Sequence, residues 1–140
     1  MERNTEAAIA ARDLHSRCFV ADAHFDLLPF VLGKRLAGRT KVIETDYLPS
    51  FREGGLDLVI SSIFINSDFL PEMALRRALD QISALYAELA ESPGLFALCR
   101  NTTEILAARE RGELAILLSF EGVEPIGTDL DLLRVFHALG

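Results

Sequence analysis

The sequence predicts an α/β fold with a parallel sheet, carried by three observations. Short apolar runs at 18–25, 56–65, 95–99 and 113–120 alternate with helical patterns. The clearest run, LDLVISSIFI at 56–65, is apolar at nearly every position, as in a strand buried on both faces. The chain has 140 residues, which suits one domain covering 1–140 but falls short of the ~250 residues a closed (β/α)₈ barrel usually needs. The pattern therefore fits a small open sheet or the first half of such a barrel.

In order, residues 4–16 predict a short helix with a modest apolar side of Ala7, Ala8, Ala11 and Leu14. CFVADAHF at 18–25 predicts the first strand. The polar, glycine-bearing stretch GKRLAGRTKVIETD leads to a short helix over 47–53, with Thr45 or Asp46 as cap and Pro49 in its first turn. Gly54-Gly55 stops it and the strand at 56–65 follows. The spacing of Leu75, Leu79, Ile82, Leu85, Tyr86 and Leu89 predicts a helix over 71–91 with that stripe in the core. LFALC at 95–99 predicts a third strand. Asn101 then caps a helix ending at Gly112, with Glu104 placed to reach back to the Asn101 N–H. ELAILLSF at 113–120 predicts the fourth strand, and a last helix begins after Thr128.

Composition excludes several function classes. The net charge is −7 with no cluster of Lys or Arg, so no nucleic-acid partner is expected. No stretch approaches the ~20 apolar residues of a membrane-spanning helix, and the N-terminus lacks a signal-peptide core, so a cytoplasmic protein with no membrane partner is expected. Cys18 and Cys99 fit no CxxC pattern and are expected as buried free thiols. The glycines form no GxGxxG or P-loop, and no GxSxG surrounds Ser61, Ser62 or Ser119.

The candidate chemistry lies at strand ends. His24 and Asp26 form an HxD pair at the carboxyl end of the first strand, where residues two apart share a face. Imidazole and carboxylate are both zinc ligands. HxD is a short pattern, and a hydrogen-bonded polar turn is the commoner reason for it. Glu121 ends the fourth apolar run, on the same rim, where a carboxylate can bridge two metal ions ~3.5–4 Å apart. The alternative there is a solvated loop charge, which is the reading for Glu124. His15 is expected on the surface and His137 in helix packing.

These residues sit in longer matches. ADAHFDLLP at 21–29, DYLPSFREGGLDLVISSIF at 46–64, LLSFEGVEPIG at 117–127 and LLRVFHALG at 132–140 together resemble the N-terminal part of the renal (membrane) dipeptidases, two-zinc peptidases on a (β/α)₈ barrel. The resemblance runs from residue 15 to the end. It implies the first half of that barrel, and a metallo-dipeptidase in which His24 and Asp26 bind one Zn²⁺ and Glu121 bridges two. In that family a hydroxide held between the metals attacks the peptide bond of a dipeptide. Ligand type alone also admits Mn, Fe or Co. The chain departs from the family at Val123, where a second glycine is usual.

The resemblance also implies that further metal-binding histidines, a substrate-binding histidine, an arginine and a catalytic acid lie beyond residue 140. In a closed barrel the first strand pairs with the eighth and the fourth with the fifth. An isolated four-stranded unit leaves open edges, which favour association. The expectation is that the remainder of the barrel, from a longer chain or a partner such as a second copy, completes the site. Alone, the 140 residues are expected to be inactive. The competing expectation is a non-catalytic α/β binding or structural module, or a degenerate family member.

Overall fold

The computed structural model describes residues 2–140. The elements in order are α1 (Glu2–Arg17), β1 (Ala21–Phe25), α2 (Leu27–Leu36), a π-turn (Ile43–Tyr47), α3 (Leu48–Glu53) and β2 (Leu58–Phe64). A 3₁₀ turn (Ser67–Phe69), α4 (Ala74–Glu91), β3 (Phe96–Leu98), α5 (Thr102–Glu110), β4 (Leu114–Glu121), a second 3₁₀ turn (Glu124–Ile126) and α6 (Leu132–Leu139) follow. All strand pairs are parallel, as the apolar runs predict.

The strand order is β1-β2-β4-β3. Consecutive barrel strands would place β3 between β2 and β4. Instead β4 pairs directly with β2 over seven positions, from Leu58↔Ala115 to Phe64↔Glu121. β3 meets β4 only at Leu114–Ile116, on the outer edge. Three residues are too few to match the length of β2, whereas β4 matches it fully.

This order divides the core between the two sheet faces. On one face, Val59, Ile63, Leu114 and Ile116 pack with Leu28 and Val31 of α2, Phe51 of α3 and Ile82 and Leu85 of α4. On the other, Leu58, Ile60, Ala115 and Leu117 pack with Ile105 and Ala108 of α5. Going out from β2 to β3 and back to β4 reverses direction in the sheet, and right-handed crossovers then set the two helices on opposite faces. The α5 helix covers only the lower half of its face. Helix α5 does not reach the carboxyl-end half, which carries Ser62, Phe64, Ser119 and Glu121; there Phe64 and Glu121 are exposed, while Ser62 is buried beneath the end of β1.

Several local expectations need correction. The α1 side chains from Glu6 to Arg17 are all exposed, so its apolar side buries nothing within this chain. Helix α2 passes through Gly33 in a stretch expected to be loop, because Leu27, Leu28 and Val31 are fully buried and outweigh one helix-weakening glycine. Neither Thr45 nor Asp46 caps α3, which continues straight from the π-turn. Asp46 instead binds Lys34 and Arg39, each at 2.7 Å. The buried line of α4 is Ala74, Ala78, Gln81, Ile82, Leu85 and Glu88, and Leu75, Leu79 and Tyr86 are exposed. Asn101 caps α5 by accepting the Glu104 N–H at 3.0 Å, but Glu104 returns to the N–H of Arg100, not of Asn101. Thr128 caps nothing: α6 starts at Leu132, and Asp129 accepts the Asp131 N–H.

A buried ion network ties the helical layer together. Arg35 of α2 meets Glu91 of α4 through two bonds of 2.8 Å and also binds Glu88, which is fully buried. The second Glu88 oxygen accepts the Ile43 N–H at 2.8 Å, and Glu91 accepts that of Lys41 at 3.0 Å. Two carboxylates on one helix thus fix α2 and the start of the π-turn. Replacing Arg35 by Met leaves Glu88 buried without its counter-ion, at a cost of about 3–5 kcal/mol. A urea titration should show that loss, while Arg76→Ala, at an exposed helix pair with Asp80, should leave the midpoint unchanged.

The same network sets the response to acid. The Arg35 guanidinium, then the Lys41 N–H, hold the Glu91 carboxyl down to about 2 from its ordinary 4.5. A carboxyl depressed by folding stabilises the fold above its unfolded value and loses that contribution as pH falls through its folded one. Asp46, depressed by Arg39 and Lys34, acts in the same direction. The urea midpoint should therefore fall as pH drops from 4.5 towards 2. The slope should be shallower in Arg35→Met, and equal slopes would show that Glu91 does not carry the effect.

Candidate metal centre

The rim at the carboxyl ends of β1, β2 and β4 is where the sequence-predicted residues meet. Glu121 is the last residue of β4 and pairs in register with Phe64, so it lies on the face opposite the α2–α4 layer. Gly122 follows with φ +87°, a left-handed conformation that favours glycine and turns the chain off the strand. This gives the E-G pair a backbone reason.

His24 reaches the same face through an irregularity in β1. Ala21 pairs with Leu58 and Asp22 with Val59, but Phe25 pairs with Ser61. Two residues of β1, Ala23 and His24, thus stand where β2 has one, which is a β-bulge. Phe25 then points into the helical layer, edge-on to Phe51 at 5.4 Å and Tyr47 at 6.2 Å. His24 points the other way. Without the extra residue, His24 would pair with Ser61 and face the helices, because a one-residue slip inverts the side of every following side chain.

The three side chains converge. One ligand atom from each of His24, Asp26 and Glu121 lies within 4.8 Å of the others. His24 Nε2 is 3.0 Å from Glu121 Oε2 and 3.9 Å from Asp26 Oδ1. Asp26 stands just past the strand, at the N-cap position of α2, without capping it. Its Oδ1 is buried and has no hydrogen-bond partner. An imidazole nitrogen, a carboxylate oxygen lacking a donor and a second carboxylate on one rim suit a divalent cation, which would satisfy that oxygen.

Ser62 is the residue that motif reading missed. It is fully buried in β2, and its hydroxyl lies 3.2 Å from His24 Nε2 and 3.4 Å from Nδ1. A hydroxyl there can serve whichever ring nitrogen a cation does not take, as outer partners of ligating histidines commonly do. The signal available was two serines in the middle of an otherwise apolar strand. Its neighbour Ser61 faces the helical layer, buried, with no hydrogen-bond partner.

The other candidates lie elsewhere. His15 is exposed on α1, as expected, and His137 is exposed on α6 and not packed. Glu124 is exposed in the turn after Gly122. Cys99 is buried, and burial pushes its thiol pKa up, but Cys18 is exposed because α1 does not cover it. Beside Asp26 opens a cavity of about 440 Å³, with walls that include Phe30, Leu36, Phe64, Phe69 and Arg77.

Comparison with known proteins places the chain in a family. The family model for membrane dipeptidases, peptidase family M19, matches residues 9–140. The solved structure of dipeptidase AC, a metallopeptidase of family M19, is similar at 29% identity and a TM-score of 0.75, over 87% of this chain and 40% of that one. A metallopeptidase from Rhodobacter sphaeroides, solved with a phosphinate mimic of the dipeptide L-Ala-D-Ala, is similar at 25% identity and a TM-score of 0.76, over 87% and 43%. The probable dipeptidase PvdM from Pseudomonas aeruginosa shares the fold, with a TM-score of 0.78 at 16% identity. The chain thus spans less than half the length of these structures and matches part of their (β/α)₈ barrels. By its family model, with a fold similar to solved members, the chain belongs to the membrane dipeptidase family, peptidase family M19.

Proposed function

We propose that this chain supplies the His24-Asp26-Glu121 part of a zinc-dependent dipeptidase centre, completed by further barrel strands. The observation that carries the reading is the convergence of these three side chains on one rim, with Asp26 Oδ1 buried and lacking a donor. Membership of a metallo-dipeptidase family supports the metal and the dipeptide substrate. The share of length matched, 40% of dipeptidase AC and 43% of the Rhodobacter sphaeroides metallopeptidase, supports a site built from more than these strands. The edges of the sheet agree: β1 has one strand neighbour, and beyond Ile116 β4 is paired on its β2 side only. Leu130, just before α6, and Leu133 and Val135 within it add exposed apolar surface after β4.

Each residue has a distinct task. His24 and Asp26 would hold one ion and Glu121, with two oxygens, would reach a second. Bound zinc would supply an acidified water and polarise the scissile carbonyl. Ser62 holds the imidazole plane by its hydroxyl. The cavity beside Asp26, walled by Phe30, Phe64 and Phe69, would take the apolar part of a substrate and keep water from it.

Calorimetric titration of the chain with Zn²⁺ tests the assignment. Four-ligand zinc sites bind with roughly 10–16 kcal/mol, so each ligand is worth several kcal/mol. Single variants His24→Ala, Asp26→Ala and Glu121→Ala should each weaken binding by about two orders of magnitude on that scale. Equal affinity in a His24→Ala/Asp26→Ala double variant would refute the site and favour a non-catalytic module. For the barrel completed by its remaining strands, hydrolysis of L-Ala-D-Ala should fall with the same variants. A Glu121→Gln variant with two zincs and full turnover would contradict bridging.

A further inference from the structure

The bulge in β1 decides which way His24 faces, and one side chain is bonded across it. Asp22 Oδ1 accepts the His24 N–H at 3.0 Å. A bulge takes its extra residue off the ladder and leaves backbone groups that need another partner. Asp22 is the last regular pair before the irregularity, opposite Val59, and Phe25 is the first pair after it. The carboxylate therefore spans the segment in which the register changes by one. Short acidic side chains that accept an N–H two residues on form such local turns.

We propose that Asp22 is a positioning residue: its carboxylate holds the β1 bulge and thereby keeps His24 on the face of Ser62 and Glu121. Phe25, the first paired residue after the bulge, is packed edge-on against Tyr47 and Phe51 and holds its far end. Asp22 touches neither His24's ring nor Glu121 in any hydrogen bond of the chain's described residues, so its influence passes through the backbone. Its importance for metal binding rests on the function proposed above, but its hold on the bulge does not.

The test uses Asp22→Ala and Asp22→Asn in this chain, with amide hydrogen exchange and Co²⁺ titration as two separate readouts. Asn keeps an acceptor oxygen at the same place, whereas Ala removes it. The His24 amide should exchange about ten-fold or more faster in Asp22→Ala and close to the native rate in Asp22→Asn. The Ile116 amide, in the sheet centre, should be unchanged in both, which separates a local effect from loss of the fold. Co²⁺ affinity should fall about 10–100-fold in Asp22→Ala, the range for outer partners of metal ligands, and be restored in Asp22→Asn. An unchanged His24 amide in Asp22→Ala would overturn the proposal. So would an Asn variant as impaired as the Ala variant, since charge and not the bond would then be at work. If native chain binds Co²⁺ no better than His24→Ala, the metal reading fails on its own, and the exchange rates still decide the role of Asp22.

Discussion

The direct pairing of β2 with β4 is the constraint on which the rest of this structure depends. Seven register pairs bring the end of β4 beside the end of β2, and β1 lies on β2's other edge. Glu121 and His24 are 97 residues apart in sequence, yet only one strand separates theirs. With β3 inserted between β2 and β4, another strand width of ~4.8 Å would part the carboxylate from the imidazole, beyond the reach of one ion. The short β3, pushed to the outer edge, is thus the condition for the rim to close around His24, Asp26 and Glu121.

Polar groups are treated in opposite ways on the two faces. In the helical layer, Glu88 and Glu91 have every strong partner they need, from Arg35 and the N–H groups of Lys41 and Ile43. That arrangement is rigid and directed at the backbone. On the rim, Asp26 Oδ1 is buried without a donor, and His24 and Glu121 have mainly each other. Satisfied charge builds the frame, and unsatisfied charge is concentrated where a cation can answer it.

Much of this was legible in the chain. The apolar runs reported parallel strands, because burial on both faces leaves no alternation, and HxD and E-G stood at strand ends where side chains gather on one rim. The order of the strands was not legible, since parallel strands read alike whatever their neighbours. The bulge was also hidden: Ala23 and His24 carry no mark that two residues face one. The HxD spacing was read as regular alternation, but the face that His24 occupies follows from the register change. The exposed Leu75, Leu79 and Tyr86 show a further limit. Periodicity finds the helix, whereas smaller Ala74 and Ala78 mark its closest approach to the sheet.

The position of α5 gives the rim a direction. Ile105 and Ala108 lie over Leu58, Ile60, Ala115 and Leu117, on the same face as the converging side chains but at its amino end. That end is therefore stoppered by hydrocarbon. At the other end of the same face His24 and Glu121 stay exposed, so within this chain the cluster is reached from the carboxyl ends of the strands and across the uncovered half of the sheet.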